Sequence, residues 1–298
     1  MSFLFDPYAY DFFVKGVLVA SMAGALCGLV GVFITLRGMS YIGHGLSHAI
    51  FGGFAASTVI SFNYYAGAGI WGMASAWSIN SVSRRRSIGA DAAIGVITTA
   101  SFALGVALLF AFGRTNTDFD AALFGSILGI RDLDVVLIAL VLVATGLLVL
   151  FRYRALLFTT FDPEVADVSG VSVRRTDALL MVALSLAILT TLRIIGVTLV
   201  AAMLVIPAVV ARMLTDAFSR MLTLSVAIGA ACGFVGMNLS YHIDVPSGTT
   251  IVLVAAAAFA LVLMVTGGSG LRRTRGLDEH THLPEPVTAV VEPVQTRR

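Results

Sequence analysis

Charge is scarce in this chain. Only 12% of its 298 residues are Asp, Glu, Lys or Arg, about half the share usual in soluble domains. That excludes an ordinary soluble globular domain, a disordered chain and a nucleic-acid-binding protein. Proline is rare, with seven residues, and the 29 glycines follow no collagen-like period. Cysteine is nearly absent. Cys27 and Cys232 both lie in apolar segments, form no CxxC and read as small packing residues, so no disulfide framework is expected. The sequence also lacks a Walker A loop, GxSxG, HExxH and any set of carboxylates within an apolar run. Nothing in it reads as an enzyme, and an ATP-driven step would need another chain to bind the nucleotide.

What the chain has is apolar sequence: 58% of its residues are hydrophobic and the mean hydropathy is +0.95. Several runs approach the roughly 20 residues that cross a bilayer as a helix. The expected fold is an all-α, polytopic helical membrane bundle of about eight or nine spans. Candidate spans fall at 12–34, 45–62, 64–82, 91–112, 134–151, 177–193, 196–211, 221–240 and 248–266. The N-terminal residues 1–11 carry Asp6 and Asp11 but no basic residue, so they lack the positive region of a cleavable signal. The first apolar run is expected to be a retained span. Residues 268–298 are polar, contain Pro284, Pro286 and Pro293, and are expected to form a disordered cytoplasmic tail carrying His280 and His282. That leaves 1–267 as one transmembrane domain.

Basic residues set the orientation, because Lys- and Arg-rich loops stay in the cytoplasm. On this span map, Arg37, Arg84, Arg85, Arg86, Arg152, Arg154, Arg174, Arg175, Arg212, Arg220, Arg272, Arg273, Arg275, Arg297 and Arg298 share one side. Lys15, Arg114, Arg131 and Arg193 fall on the other. With an odd span count the N-terminus is outside and the C-terminus inside. Gly24 with Gly28, and Gly229 with Gly233, give two GxxxG motifs. Such faces let helix backbones approach closely in lipid.

Ionisable residues inside a membrane are costly and mark function. His44 and His48 lie near the start of the second span, and their i, i+4 spacing puts both imidazoles on one helix face. Two neutral imidazoles one turn apart can share a divalent metal ion; they can also be packed histidines bonded to Ser, Tyr41 or carbonyls. A long loop, 152–176, joins the fifth and sixth spans on the basic side. Within it Asp162 reads as an N-cap, Pro163 as the first helical residue, and Gly170 as a stop after Glu164 and Ala166. This short helix is either a docking element or an ordinary connection. His242 and Asp244, in the loop before the last span, offer a place for metal to enter; the plainer reading has Asp244 capping the last helix and His242 exposed. Asp118, Asp120, Asp132 and Asp134 read as a solvated outer loop. Pro207 lies inside the seventh span and is expected to kink it.

Taken in order, several stretches resemble one family. They are Leu36-Arg37-Gly38-Met39-Ser40, Gly45-Leu46-Ser47-His48-Ala49, Asp91-Ala92-Ala93-Ile94-Gly95, Phe161-Asp162-Pro163-Glu164-Val165-Ala166 with Gly170, Val197 to Ala211, and Asp244-Val245-Pro246-Ser247-Gly248. The chain resembles, over 12–266, the membrane permeases of ATP-binding-cassette importers for zinc, manganese and iron. The resemblance implies a type II importer plan in a bacterial cytoplasmic membrane, with a dimer of permeases around a central path. Cytoplasmic ATP-binding cassette subunits would grip Asp162, Pro163, Glu164, Ala166 and Gly170, and an extracytoplasmic binding protein would deliver the metal. No cofactor is bound permanently; the metal is cargo, and lipid is the only other surface partner.

The resemblance also implies a metal site at His48 and, by position, at His44, where the family usually has an acid. That exchange softens the site and favours zinc over manganese, while Pro207 falls where the family has a gating kink. Three other readings stay open. A siderophore or cobalamin permease would have a wider path without ligands. A proton-coupled cation transporter would keep an acid at mid-membrane. A membrane scaffold would need neither histidine.

Overall fold

A computed structural model describes residues 6–82, 90–112, 124–125 and 130–275. After a short 3₁₀ turn, Asp6–Ala9, the chain is helical, and no strand occurs among the described residues. The helices in chain order are α1 (Asp11–Leu36), α2 (Ser40–Val59), α3 (Tyr64–Val82), α4 (Ala90–Phe112), α5 (Asp132–Phe151), α6 (Tyr153–Phe161), α7 (Pro163–Val168), α8 (Val173–Ile195), α9 (Val200–Leu214), α10 (Phe218–Ile243) and α11 (Ser247–Arg275). Leaving out α6 and α7, the long helices answer the expected spans one for one. Six of them, α1, α4, α5, α8, α10 and α11, are long and apolar enough to cross a membrane. α2, α3 and α9 are shorter or more polar.

The differences lie at helix ends. α2 starts at Ser40, five residues earlier than expected, because Ser40, Tyr41 and His44 lower the hydropathy of its first turns without weakening the helix. α8 starts at Val173, ahead of the expected 177, so Arg174 and Arg175 are helical although polar. α6 was not expected at all, since nine residues are too few to register as a span. α11 runs on to Arg275, beyond the expected boundary at 267. The rest of the tail with His280 and His282, and Arg84–Arg86, Arg114, Asp118 and Asp120, lie outside the described residues.

α1 is the axis of the bundle. Of its most apolar window, 83% is buried inside the protein, against 22% for α11. A helix hydrophobic on every side belongs at the centre, and α10, α9, α8 and α5 surround this one. The α1–α10 contact is backbone against backbone. A Cβ on Gly24 would collide with the Gly229 carbonyl, and one on Gly233 with the Ala20 carbonyl. Ser225 Oγ donates 2.7 Å to the Gly28 carbonyl in the same seam. Both GxxxG motifs are therefore used in one interface.

The two ends of the bundle are chemically distinct. At the Arg-rich end, cytoplasmic by the count above, Phe218 packs its ring 5.7 Å from Phe33 and 6.0 Å from Phe161. At the opposite end Lys15 pairs with Asp11 at 2.6 Å and with Asp132 at 2.7 Å. Asp134 corrects the solvated-loop reading. Its side chain is only 7% exposed and takes Arg193 Nη1 on both oxygens, at 3.1 and 2.9 Å. It also accepts from the Tyr65 hydroxyl and, at 2.8 Å, from the Arg131 backbone N–H. This carboxylate ties α3, α5 and α8 together. The sequence hid it because Arg193 and Tyr65 are distant in the chain.

Two outcomes follow for stability in detergent. Gly229→Ala is expected to cost about 1–3 kcal/mol by forcing α1 and α10 apart. A thermal-unfolding midpoint equal to the wild type's would contradict the seam. Asp134→Ala is expected to cost about 2–3 kcal/mol, below the full cost of breaking a buried pair because Arg193 keeps some exposure. Denaturant titration of the two proteins side by side measures it.

Candidate metal site and coupling helix

His44 and His48 stand on α2, one turn apart, with ring centroids 4.6 Å from one another and planes at 78°. They face a cavity of about 170 Å³ lined by Tyr41, His44, Gly45, His48, Thr98, Thr99 and Phe102. α4 forms the far wall. The cavity exists because α2 and α4 touch on either side of it through glycine. A Cβ on Gly45 would press on Ile94 and Thr98, and Gly52 lies against Gly105 and the Ser101 carbonyl. Phe102 lines the cavity edge-on to His48, with ring centroids 4.9 Å apart. His48 Nδ1 is buried and has no hydrogen-bond partner. An orphan ring nitrogen is expensive to keep, and a metal ion would satisfy it. Each wall residue can offer a ring nitrogen or a hydroxyl, except Gly45 and Phe102.

Among the described residues, no group of three or more His, Cys, Asp or Glu gathers anywhere. The histidine pair could therefore offer an ion two ring nitrogens, with the Thr98, Thr99 and Tyr41 hydroxyls lining the same cavity. Two side-chain nitrogens hold an ion loosely, which suits transit more than storage. Ser47, next to His48 and fully buried, fixes the pair in place. Its Oγ lies 2.8 Å from the His44 carbonyl and 2.9 Å from the Val197 carbonyl, in the link between α8 and α9. That link turns at Gly196, whose φ of +87° suits glycine alone. The spacing of the histidines was legible in the sequence. Thr98 and Thr99 were not, because nothing local marks which turn of α4 faces α2.

The other singled-out residues are not part of this cavity. His242 is half-buried in the last turn of α10, its ring edge-on to Tyr241. Asp244 ends α10 in the left-handed region, at φ 53°, and does not cap α11 as expected. Pro207 is buried within α9, which continues through it from Val200 to Leu214.

The 152–176 segment holds two helices end to end. Asp162 accepts from the Val165 N–H at 3.0 Å, and Pro163 occupies the first position of α7. At the other end Gly170 N–H reaches Asp167 O and Val171 N–H reaches Ala166 O, both at 3.0 Å. These are the paired bonds of a Schellman motif, with Gly170 at φ +78° supplying the left-handed residue. Ala166 is buried, while Glu164 is exposed and Val168 is 91% exposed. A six-residue helix capped at both ends thus presents an apolar residue to the cytoplasm.

The sequence and the fold have counterparts among known proteins. The family model described as the ABC 3 transport family matches residues 9–266. The manganese transport system membrane protein MntC of Listeria innocua is 35% identical over 271 residues, covering 91% of this chain and 96% of that protein. The chelated iron transport system membrane protein YfeC of Yersinia pestis is 32% identical over 291 residues, covering 96% and 99%. The solved structure of PsaBC from Streptococcus pneumoniae in complex with Fab aligns with a TM-score of 0.80 at 33% identity, over 88% of this chain and 95% of that one. The chain belongs to the ABC 3 transport family and is a multi-pass permease subunit of the bacterial cytoplasmic membrane, not an enzyme, working with a separate ATP-hydrolysing subunit.

Proposed function

We propose that the chain is the permease through which an ATP-driven importer moves a divalent transition-metal ion into the cell. The observation that carries this is the cavity with two facing imidazoles and the orphan His48 Nδ1. An ion released by an extracytoplasmic binding protein binds His44 and His48 in passing, helped by the hydroxyls of Thr98 and Thr99. Entry past His242 and Asp244 belongs to the same proposal. ATP binding in cytoplasmic subunits, which grip α7 through Asp162, Pro163, Glu164, Ala166 and Gly170, then opens the inner side. Exposed Val168 supports this, since an apolar side chain in the cytoplasm gains from being covered. Two copies of this chain, or this chain and a related permease, enclose the path, and Pro207 bends α9 at its gate.

Manganese and iron are the proposed cargo. Ligand softness alone favours zinc, but the relatives above are named for manganese and chelated iron. Softness ranks affinity and leaves selection to geometry and supply.

His48→Ala is expected to abolish uptake, with residual transport near the background of empty vesicles, while the complex still purifies intact. Normal uptake by the stable variant would overturn the site. In uptake by proteoliposomes of the whole complex, Mn²⁺ and Fe²⁺ are expected to compete with each other and to outrun Zn²⁺. Zinc transported fastest, at equal free concentration, would refute the assignment of cargo.

A further inference from the structure

The corner between α1 and α2 carries an arginine whose role the metal site does not explain. Arg37 caps the end of α1, three residues before α2 begins and seven before His44. Its side chain is only 9% exposed. Every guanidinium nitrogen has a partner. Nη1 donates to Asp177 Oδ1 at 2.7 Å on α8, Nη2 to Thr159 Oγ1 at 3.0 Å, and Nε to Thr160 Oγ1 at 3.2 Å, both on α6. The two threonines are themselves directed. Each turns its hydroxyl proton to the Leu156 carbonyl, at 3.2 and 2.6 Å, leaving oxygen lone pairs for the arginine.

Position gives this cluster its meaning. Thr160 is two residues before Asp162, the N-cap of α7, so the clamp sits at the root of the coupling helix. On the other side, the backbone leaves Arg37 through Gly38 and Met39 straight into the first turn of α2. A cavity of about 370 Å³ lies against the clamp, bordered by Arg37, Ile42, Pro163 and Asp177. The corner therefore has space to shift, and its planar, multiply bonded head holds direction better than a single point charge. A displacement of α7 that carried Thr159 and Thr160 with it would pull on Arg37 through these bonds, and so on the start of α2.

We propose that Arg37 is a positioning residue that transmits motion of the coupling helix to the His44–His48 pair, with Asp177 as its counter-charge. This rests on the reading of the chain as an ATP-driven metal permease and adds the residue through which the ATPase reaches the site.

The test uses the complete complex with its ATPase and binding protein in liposomes, measuring Mn²⁺ moved and ATP hydrolysed in the same vesicles. Arg37→Gln and Asp177→Asn are expected to keep ATP hydrolysis while metal moved per ATP falls about tenfold, within the range of residues that lie along a coupling network. Arg37→Lys keeps the charge and loses the fork, so its ratio is expected to fall about threefold. An unchanged ratio would overturn the proposal. So would hydrolysis and transport falling in step, which marks a residue needed only for assembly. Should Arg37→Gln fail to assemble, Thr160→Val decides by the same ratio, since it removes one bond to α6 and leaves the ion pair. A wild-type complex that moves no metal on ATP would defeat the permease reading itself, a result separable from every variant outcome.

Discussion

A helix buried on all sides cannot be moved sideways without moving its neighbours, and α1 is such a helix. Its glycines bring α10 within backbone contact, and Gly31 does the same for α9, whose Leu204 carbonyl lies where a Cβ would stand. In lipid no hydrophobic force draws helices together, so close van der Waals packing must do it. The rest of the architecture hangs from that seam. α9 leans on α1 and on Gly43 of α2 through the Leu204 side chain, while the α8–α9 link holds Ser47. The histidine pair is thus set by the axis through two successive contacts.

Charge is used sparingly and is placed at the two ends of α8. Near one end Asp177 meets Arg37, and near the other Arg193 meets Asp134. The apolar stretch between them spans 67% buried window, so α8 behaves as a rod pinned at both membrane faces. Buried ion pairs add little net stability over apolar packing, but breaking one is costly. They fix where the rod sits more than how firmly the protein folds.

Much of this was legible in the sequence. Hydropathy placed the long helices because each must satisfy its own backbone in lipid. Asp162, Pro163 and Gly170 marked α7 because capping chemistry is local. The i, i+4 histidines declared a shared face for the same reason. What escaped the sequence was long-range or polar at a helix end. Asp134 looked like loop because its partners are Tyr65 and Arg193. Asp244 looked like a cap for the following helix, and instead closes the preceding one in a left-handed turn. The first turn of α2 was lost to Ser40 and Tyr41, and the wall of the cavity contributed by α4 has no signature of its own.

The cavity between α2 and α4 is lined by imidazole, hydroxyl and phenyl groups, with no carboxylate among its described walls. Metal-bound histidine is neutral, so an ion resting there keeps its full double charge. On the proposed function, an ion that crosses with no counter-moving charge carries two charges through the membrane, whichever residues hold it on the way. A resting potential negative inside pulls such an ion inward by about 4.6 kcal/mol for every 100 mV across the whole membrane. Part of the work of accumulation would come from the cell's voltage, and release toward the cytoplasm would slow as that voltage collapses.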